Sequence, residues 1–293
     1  MTDNILDIQD LRLSFRSHGG VTEVLHGVSL SVAPEERVAL VGESGSGKSV
    51  TARAVLGLLQ SQRSAQITGR ILFEGRDLAS LSGANRRKLR GTKMSMIFQD
   101  PVSSLNPLFR IEDQFREVLR RSERSADMRR TREVAGKLLR DVSIDDPERV
   151  LASFPFQLSG GMNQRVMIAM ALVNEPSLLI ADEPGTALDV TVQDQTLKLM
   201  RKLADDRRAA VFFISHNLGV VREFSNRLYV IYQGRIVESG PTGSIFDDPR
   251  HPYTKALLAA VPRITRAGIP EIEESPEAFS APCEIHETAG VAA

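Results

Sequence analysis

The run Gly42-Glu43-Ser44-Gly45-Ser46-Gly47-Lys48-Ser49 limits the folds open to this chain more than any other feature. Glycines at that spacing, closed by Lys-Ser, present consecutive backbone N–H groups to phosphate oxygens at a helix start, where the helix dipole favours negative charge. The lysine then reaches the β- and γ-phosphates, and the serine hydroxyl meets Mg²⁺. The flanks agree. Arg37-Val38-Ala39-Leu40-Val41 is a short β-branched run, and Val50-Thr51-Ala52-Arg53-Ala54-Val55-Leu56 has helical spacing. Strand, glycine turn and helix together leave little room for a chance Gly/Ser loop. A nucleoside triphosphate is the expected ligand of the segment from Gly42 to Val50.

An apolar run without alternation, Leu178-Leu179-Ile180-Ala181, ends in Asp182-Glu183. Such a run predicts a strand buried on both faces of a parallel sheet, and ligands of these sheets gather at the strands' carboxyl ends. One carboxylate there can hold the Mg²⁺ shell while its neighbour takes a proton from an attacking water, the two tasks of phosphoryl transfer. The competing reading is a pair of acids at the entry of a helix beyond Pro184. A third run, Ala209-Ala210-Val211-Phe212-Phe213-Ile214, ends in Ser215-His216 and would send His216 toward the same edge, to the γ-phosphate and the water that attacks it. Gln99, after Met94-Ser95-Met96-Ile97-Phe98, suits Mg²⁺ and water contacts.

Between the glycine loop and the acidic strand stands Leu158-Ser159-Gly160-Gly161, ahead of the helix-spaced Val166-Met167-Ile168-Ala169-Met170-Ala171-Leu172. In this order the motifs resemble the ATP-binding cassette family, the ATPase subunits of membrane transporters, over about residues 5–262. The resemblance implies an α/β P-loop NTPase cassette: a RecA-like core, an antiparallel β portion and a helical subdomain inserted at about residues 101–166. It makes Gln99 the glutamine loop, Ser159, Gly160 and Gly161 part of the signature, and Asp182 a Mg²⁺-linked aspartate. It makes Glu183 the general base, Asp189 (in Ala187-Leu188-Asp189) a dimer-contact residue and His216 the switch histidine. The signature of one cassette binds the γ-phosphate of ATP held by another, so two cassettes sandwich two nucleotides.

Phe15 is the candidate for stacking on adenine; the alternative is that alternation buries it with Leu11 and Leu13. Within the family the chain resembles the dipeptide, oligopeptide and nickel importer ATPases. The supporting runs are Gln99-Asp100-Pro101, Ser103-Ser104-Leu105-Asn106-Pro107, Gln164 to Leu172, Ala187 to Gln193 and His251-Pro252-Tyr253-Thr254. It departs from that branch at Asn163, Gly185, Asn217 and Asn226, none of which is expected to contact phosphate, metal or the attacking water. A soluble cassette acting on DNA or ribosomes is the less favoured class, because tandem cassettes, zinc cysteines and coiled-coil insertions are missing. A regulatory subunit with little hydrolysis would be expected to lack the acid or the histidine.

The resemblance implies these partners: a second ATPase subunit (a paralogue or another copy), two transmembrane permease subunits and an extracytoplasmic solute-binding protein. ATP and Mg²⁺ are the expected cofactors, and the cytoplasmic face of the inner membrane the expected place. Lys+Arg and Asp+Glu balance at 37 each, which gives no pull toward nucleic acid. A single cysteine, Cys283, cannot supply the four ligands of an iron–sulfur cluster, and neither iron nor zinc is expected. The arginine-rich stretch from Arg116 to Arg140 predicts a solvated helix pair. Asp100 to Leu105 reads as a loop. The resemblance implies that the permease docks in a cleft beside it, with Leu105, Leu108 and Phe109 expected on the wall. The alternative is that these side chains form the helical subdomain's own core. Residues 1–262 form the expected ATPase domain and 263–293 a mobile tail, in which Cys283 and His286 are tail residues.

Overall fold

The computed structural model describes residues 4–17, 19–60, 62, 64–185, 190–260, 278–279 and 281–286. The chain forms two compact units, residues 1–79 with 213–293, and residues 80–212.

In chain order the first unit begins with strands β1 (Leu6–Ser17), β2 (Gly20–Val32) and β3 (Arg37–Val41), helix α1 (Lys48–Val55), and strands β4 (Ala65–Phe73) and β5 (Arg76–Asp77). Strands β2, β1, β4 and β5 make an antiparallel sheet in that order. Alternation does the folding here, burying Leu6, Ile8, Leu11 and Leu13 from β1 and Leu25, Val28, Leu30 and Val32 from β2. The register slips between Ile8 and Leu11, where Asp10 turns left-handed at φ 46°. A Cβ on Gly69 of β4 would lie 2.3 Å from Asp10 O, so glycine is needed opposite the bulge.

The second unit holds α2 (Gly83–Leu89), β6 (Met94–Ile97), α3 (Pro101–Ser104), α4 (Ile111–Leu119), α5 (Met128–Asp141), α6 (Pro147–Ala152), α7 (Gly160–Ala171), β7 (Leu178–Asp182) and α8 (Val190–Asp206). Strands β6 and β7 pair in parallel. Helices α4 and α5 form the expected pair. Ile111, Phe115 and Leu119 are buried, whereas Arg130 reaches Glu123 and Glu133 at 3.4 and 3.3 Å on the exposed side. The expected insertion at 101–166 falls within this unit, and α7 continues past it to Ala171.

Strand β8 (Ala210–Ile214) carries the chain back into the first unit, followed by α9 (Leu218–Phe224), β9 (Arg227–Tyr232), β10 (Arg235–Pro241), α10 (Thr242–Asp247), α11 (Pro252–Ala259) and β11 (Glu284–Ile285). Strand β9 runs parallel to β3 and antiparallel to β10, and β11 adds to β10 in parallel. Tyr229 Oη accepts from Ser31 N–H at 3.1 Å and Arg227 donates to Ser31 O at 2.8 Å, joining the two sheets of this unit.

Two expectations are corrected. Asp100 to Leu105 is not a plain loop: Pro101–Ser104 is a helical turn whose Ser104 hydroxyl donates to Asp100 O at 2.5 Å, and Leu105 is buried. Leu108 and Phe109 are exposed, so only those two of the three side chains offer an apolar wall. Most of the expected tail lies outside the described residues, and the part within them, 278–279 and 281–286, is packed. Strand β11 pairs with β10, and His286 is buried against Glu238 at 2.6 Å.

Candidate functional site

The phosphate loop belongs to the first unit. Strand β3 is buried throughout Val38–Val41, as its apolar run requires, and delivers the chain to Gly42. Gly45 and Gly47 sit at φ 82° and 106°, and a Cβ on Gly47 would meet Leu25 Cδ2 at 2.6 Å. Lys48, only 5% exposed, donates from Nζ to Gly42 O at 2.9 Å and to Glu43 O at 2.7 Å. These bonds curl the lysine over the loop's own carbonyls. The Ser46 hydroxyl is buried with no hydrogen-bond partner among the described residues, and Ser46 O accepts from Gly234 N–H at 3.0 Å. Glu43, Ser44 and Gly45 are exposed, while Ser49 and Val50 are half-buried at the start of α1. Backbone donors at a helix start with a cation folded over them form an anion cradle.

Leu11 and Leu13 are fully buried, whereas Phe15 is half-buried between Thr22 and Ala65 of the neighbouring strands. Phe15 is therefore less buried than the two leucines that precede it on the same alternation. His216 is exposed directly beyond β8, and the Ser215 hydroxyl accepts from Asn217 N–H at 3.0 Å.

In the second unit, β7 is buried to its last residue, Asp182, which is 3% exposed. Glu183 follows in the left-handed region, φ 49°. That turn brings its carboxylate to Gln99, whose Nε2 donates to Glu183 Oε2 at 2.9 Å. Two residues selected from separate strand ends thus meet. Ser159 caps α7, its hydroxyl accepting from Met162 N–H at 3.3 Å, and it stands exposed with Gly160 at the helix N-terminus; Gly161 is half-buried. Asp189 lies outside the described residues.

The departures from the importer branch have local tasks. Asn217 caps α9 by accepting from Val220 N–H at 3.3 Å, and Asn226 Oδ1 accepts from Arg37 N–H at 3.0 Å. Buried Asn163 donates to Pro155 O at 3.0 Å. Gly185, at φ 128°, lies where a Cβ would press on Gln193 Cγ at 2.9 Å.

A family model described as ABC transporter matches residues 25–186. The chain belongs to the ABC transporter family. A second model, the oligopeptide/dipeptide transporter C-terminal region, matches residues 237–287. The chain is similar to the oligopeptide transport ATP-binding protein OppD of Bacillus subtilis (strain 168), 46% identical over 93% of this chain and 76% of that protein. It is similar also to the dipeptide transport ATP-binding protein DppD of the same strain, 44% identical over 96% and 84%. Among solved structures it is similar to a dimeric post-hydrolysis ATP-binding cassette bound to ADP and Pi, with TM-score 0.72 and 26% identity over 81% of this chain and 98% of that one. The fold is thus that of a P-loop ABC cassette, and the activity of the family is ATP hydrolysis.

Tyr253 was not among the residues selected from the sequence. Its hydroxyl accepts from Glu43 N–H, inside the phosphate loop, at 2.9 Å. His251-Pro252-Tyr253-Thr254 was informative only as a mark of lineage, because nothing local shows which loop a tyrosine 210 residues away in sequence will touch.

Proposed function

We propose that the chain is the ATP-hydrolysing subunit of a peptide-type importer, working as a cassette dimer on the cytoplasmic face of the inner membrane. The observation that carries the substrate class is the oligopeptide/dipeptide C-terminal region at residues 237–287 joined to a cassette with its acid, glutamine and histidine intact. No helix among the described residues is long and apolar enough to cross a membrane, so the coupling to two permease subunits would pass through docking. A solute-binding protein would deliver the cargo to those permeases.

Gly42 to Val50 bind the phosphates through backbone N–H groups and Lys48, and Phe15 stacks on the adenine. Ser159, Gly160, Gly161 and Asp189 complete the site of the opposing cassette. The donor set suits Mg²⁺: a Ser49 hydroxyl, the Asp182 carboxylate and the Gln99 amide oxygen are hard oxygen ligands, few enough to leave room for phosphate oxygens and water. Mg²⁺, when bound, neutralises charge on the phosphate oxygens. Glu183 takes the proton of the water whose oxygen attacks the γ-phosphorus, as the bond to the β–γ bridging oxygen breaks and ADP leaves. Gln99 holds that carboxylate in place, and His216 contacts the γ-phosphate.

Glu183→Gln keeps size and hydrogen bonding but removes the proton acceptor. In the assembled importer, turnover should fall by about 10²–10⁴-fold while ATP still binds. Near-normal turnover would reject the assignment. Oligopeptide-loaded binding protein should stimulate the parent ATPase; stimulation by nickel-loaded binding protein alone would move the substrate class.

A further inference from the structure

The tie between Tyr253 and the phosphate loop continues into the C-terminal segment. Tyr253 is 5% exposed on α11, with its ring 4.4 Å from Tyr232 and 5.4 Å from Phe279, which stands edge-on to both. Burial pushes its hydroxyl up to about 12, so it stays protonated at neutral pH. The start of α11 is held from the same side. His251 Nδ1 accepts from Tyr253 N–H at 3.2 Å, leaving Nε2 to donate to Ala281 O at 3.2 Å. Glu238, fully buried, accepts from Arg250 N–H at 2.9 Å and His251 N–H at 3.1 Å and meets His286 at 2.6 Å. Gly240 permits that approach, since a Cβ there would come within 2.4 Å of His286 Cβ. Phe279 thus packs on the Tyr253 ring, Ala281 O holds His251, and His286 holds Glu238, which in turn accepts from the N–H groups of Arg250 and His251.

We propose that Tyr253 is a positioning residue for the phosphate loop and that residues 278–279 and 281–286 are the buttress that holds it there. The inference rests on the reading of Gly42–Ser49 as the phosphate site. A loop that binds through backbone N–H groups is only as good as their directions. Fixing those directions before the ligand arrives removes an ordering cost from binding. The Glu43 N–H, engaged by Tyr253, anchors the loop's exit from β3, and Gly234 anchors Ser46 further on. Phe279 acts one step back, by walling in the tyrosine ring.

The test is equilibrium binding of a fluorescent ATP analogue to the full chain, with Kd and stoichiometry measured separately and melting followed without nucleotide. Tyr253→Phe keeps the ring and should raise Kd about three- to tenfold at unchanged stoichiometry, with melting lowered by no more than the loss of one hydrogen bond, about 1 kcal/mol. Phe279→Ala should raise Kd by less, and should add nothing in the Tyr253→Phe background. A Tyr253→Phe Kd equal to the parent's overturns the proposal. So does a fall in stoichiometry at constant Kd, which is the mark of lost folded protein, or strict additivity of the two changes. Lys48→Ala separates the layers: if it alone loses binding, only the buttress fails; if neither variant does, the phosphate-site reading fails too.

Discussion

Two buried five-residue strands, β3 and β7, end in opposite ways. Strand β3 leaves its sheet through glycines, with Gly45 and Gly47 at positive φ and Lys48 folded over the turn. Strand β7 leaves through Asp182 and then Glu183, which takes a left-handed turn while keeping a full side chain. In the proposed mechanism the first turn works mainly through backbone N–H groups. The second must deliver a carboxylate, and the turn is tolerated despite a strain on the order of 1 kcal/mol. Left-handed Glu35, Glu74 and Gln233 lie in short connections between strands. What distinguishes Glu183 is the Gln99 amide waiting where the turn places it.

The comparison extends to β6, whose end supplies Gln99 and then buries Leu105 at 3% exposure while Phe109 stays 54% exposed. Leu105→Asp should cost about 3–5 kcal/mol and unfold much of the isolated chain, whereas Phe109→Asp should stay within ~0.5 kcal/mol in urea titration. A folded Leu105→Asp chain that binds ATP would return that residue to the docking surface. Lys48→Ala comes next, removing a charge aimed at the phosphates. Affinity for ATP should drop about 10–100-fold by calorimetry, in keeping with hydrogen bonds to charged groups. A change under about twofold would mean the backbone donors bind alone. The smallest effect belongs to the strained turn. Glu183→Gly should melt above Glu183→Ala by the equivalent of about 1 kcal/mol, because only glycine relieves the left-handed residue. Equal melting temperatures would remove strain from the comparison.

Much of this was legible in the sequence, and for physical reasons. Strands buried on both faces must be continuously apolar, so β3, β7 and β8 could be read directly, and so could the residues at their ends. The helix entry at Ser159-Gly160-Gly161 is legible because a helix-spaced apolar run follows it. The turn at Pro101–Ser104 was missed because proline opens helices and loops alike. Packing of Phe279 and His286 is invisible in the sequence because they act as single anchors on distant strands, leaving no period to detect. Phe15 is ambiguous in the sequence because alternation alone would bury it with Leu11 and Leu13, and it is only half-buried.

The central claim, that this ABC cassette hydrolyses ATP with Glu183 as the proton acceptor, is tested most directly by the nucleotide that a Glu183→Gln complex retains. The assembled importer is incubated with ATP and Mg²⁺, passed rapidly through gel filtration and its bound nucleotide separated by chromatography. The parent complex should retain ADP, and the Glu183→Gln complex should retain ATP in nearly every occupied site. ADP in the variant's sites would show that another group takes the proton, and would contradict the account.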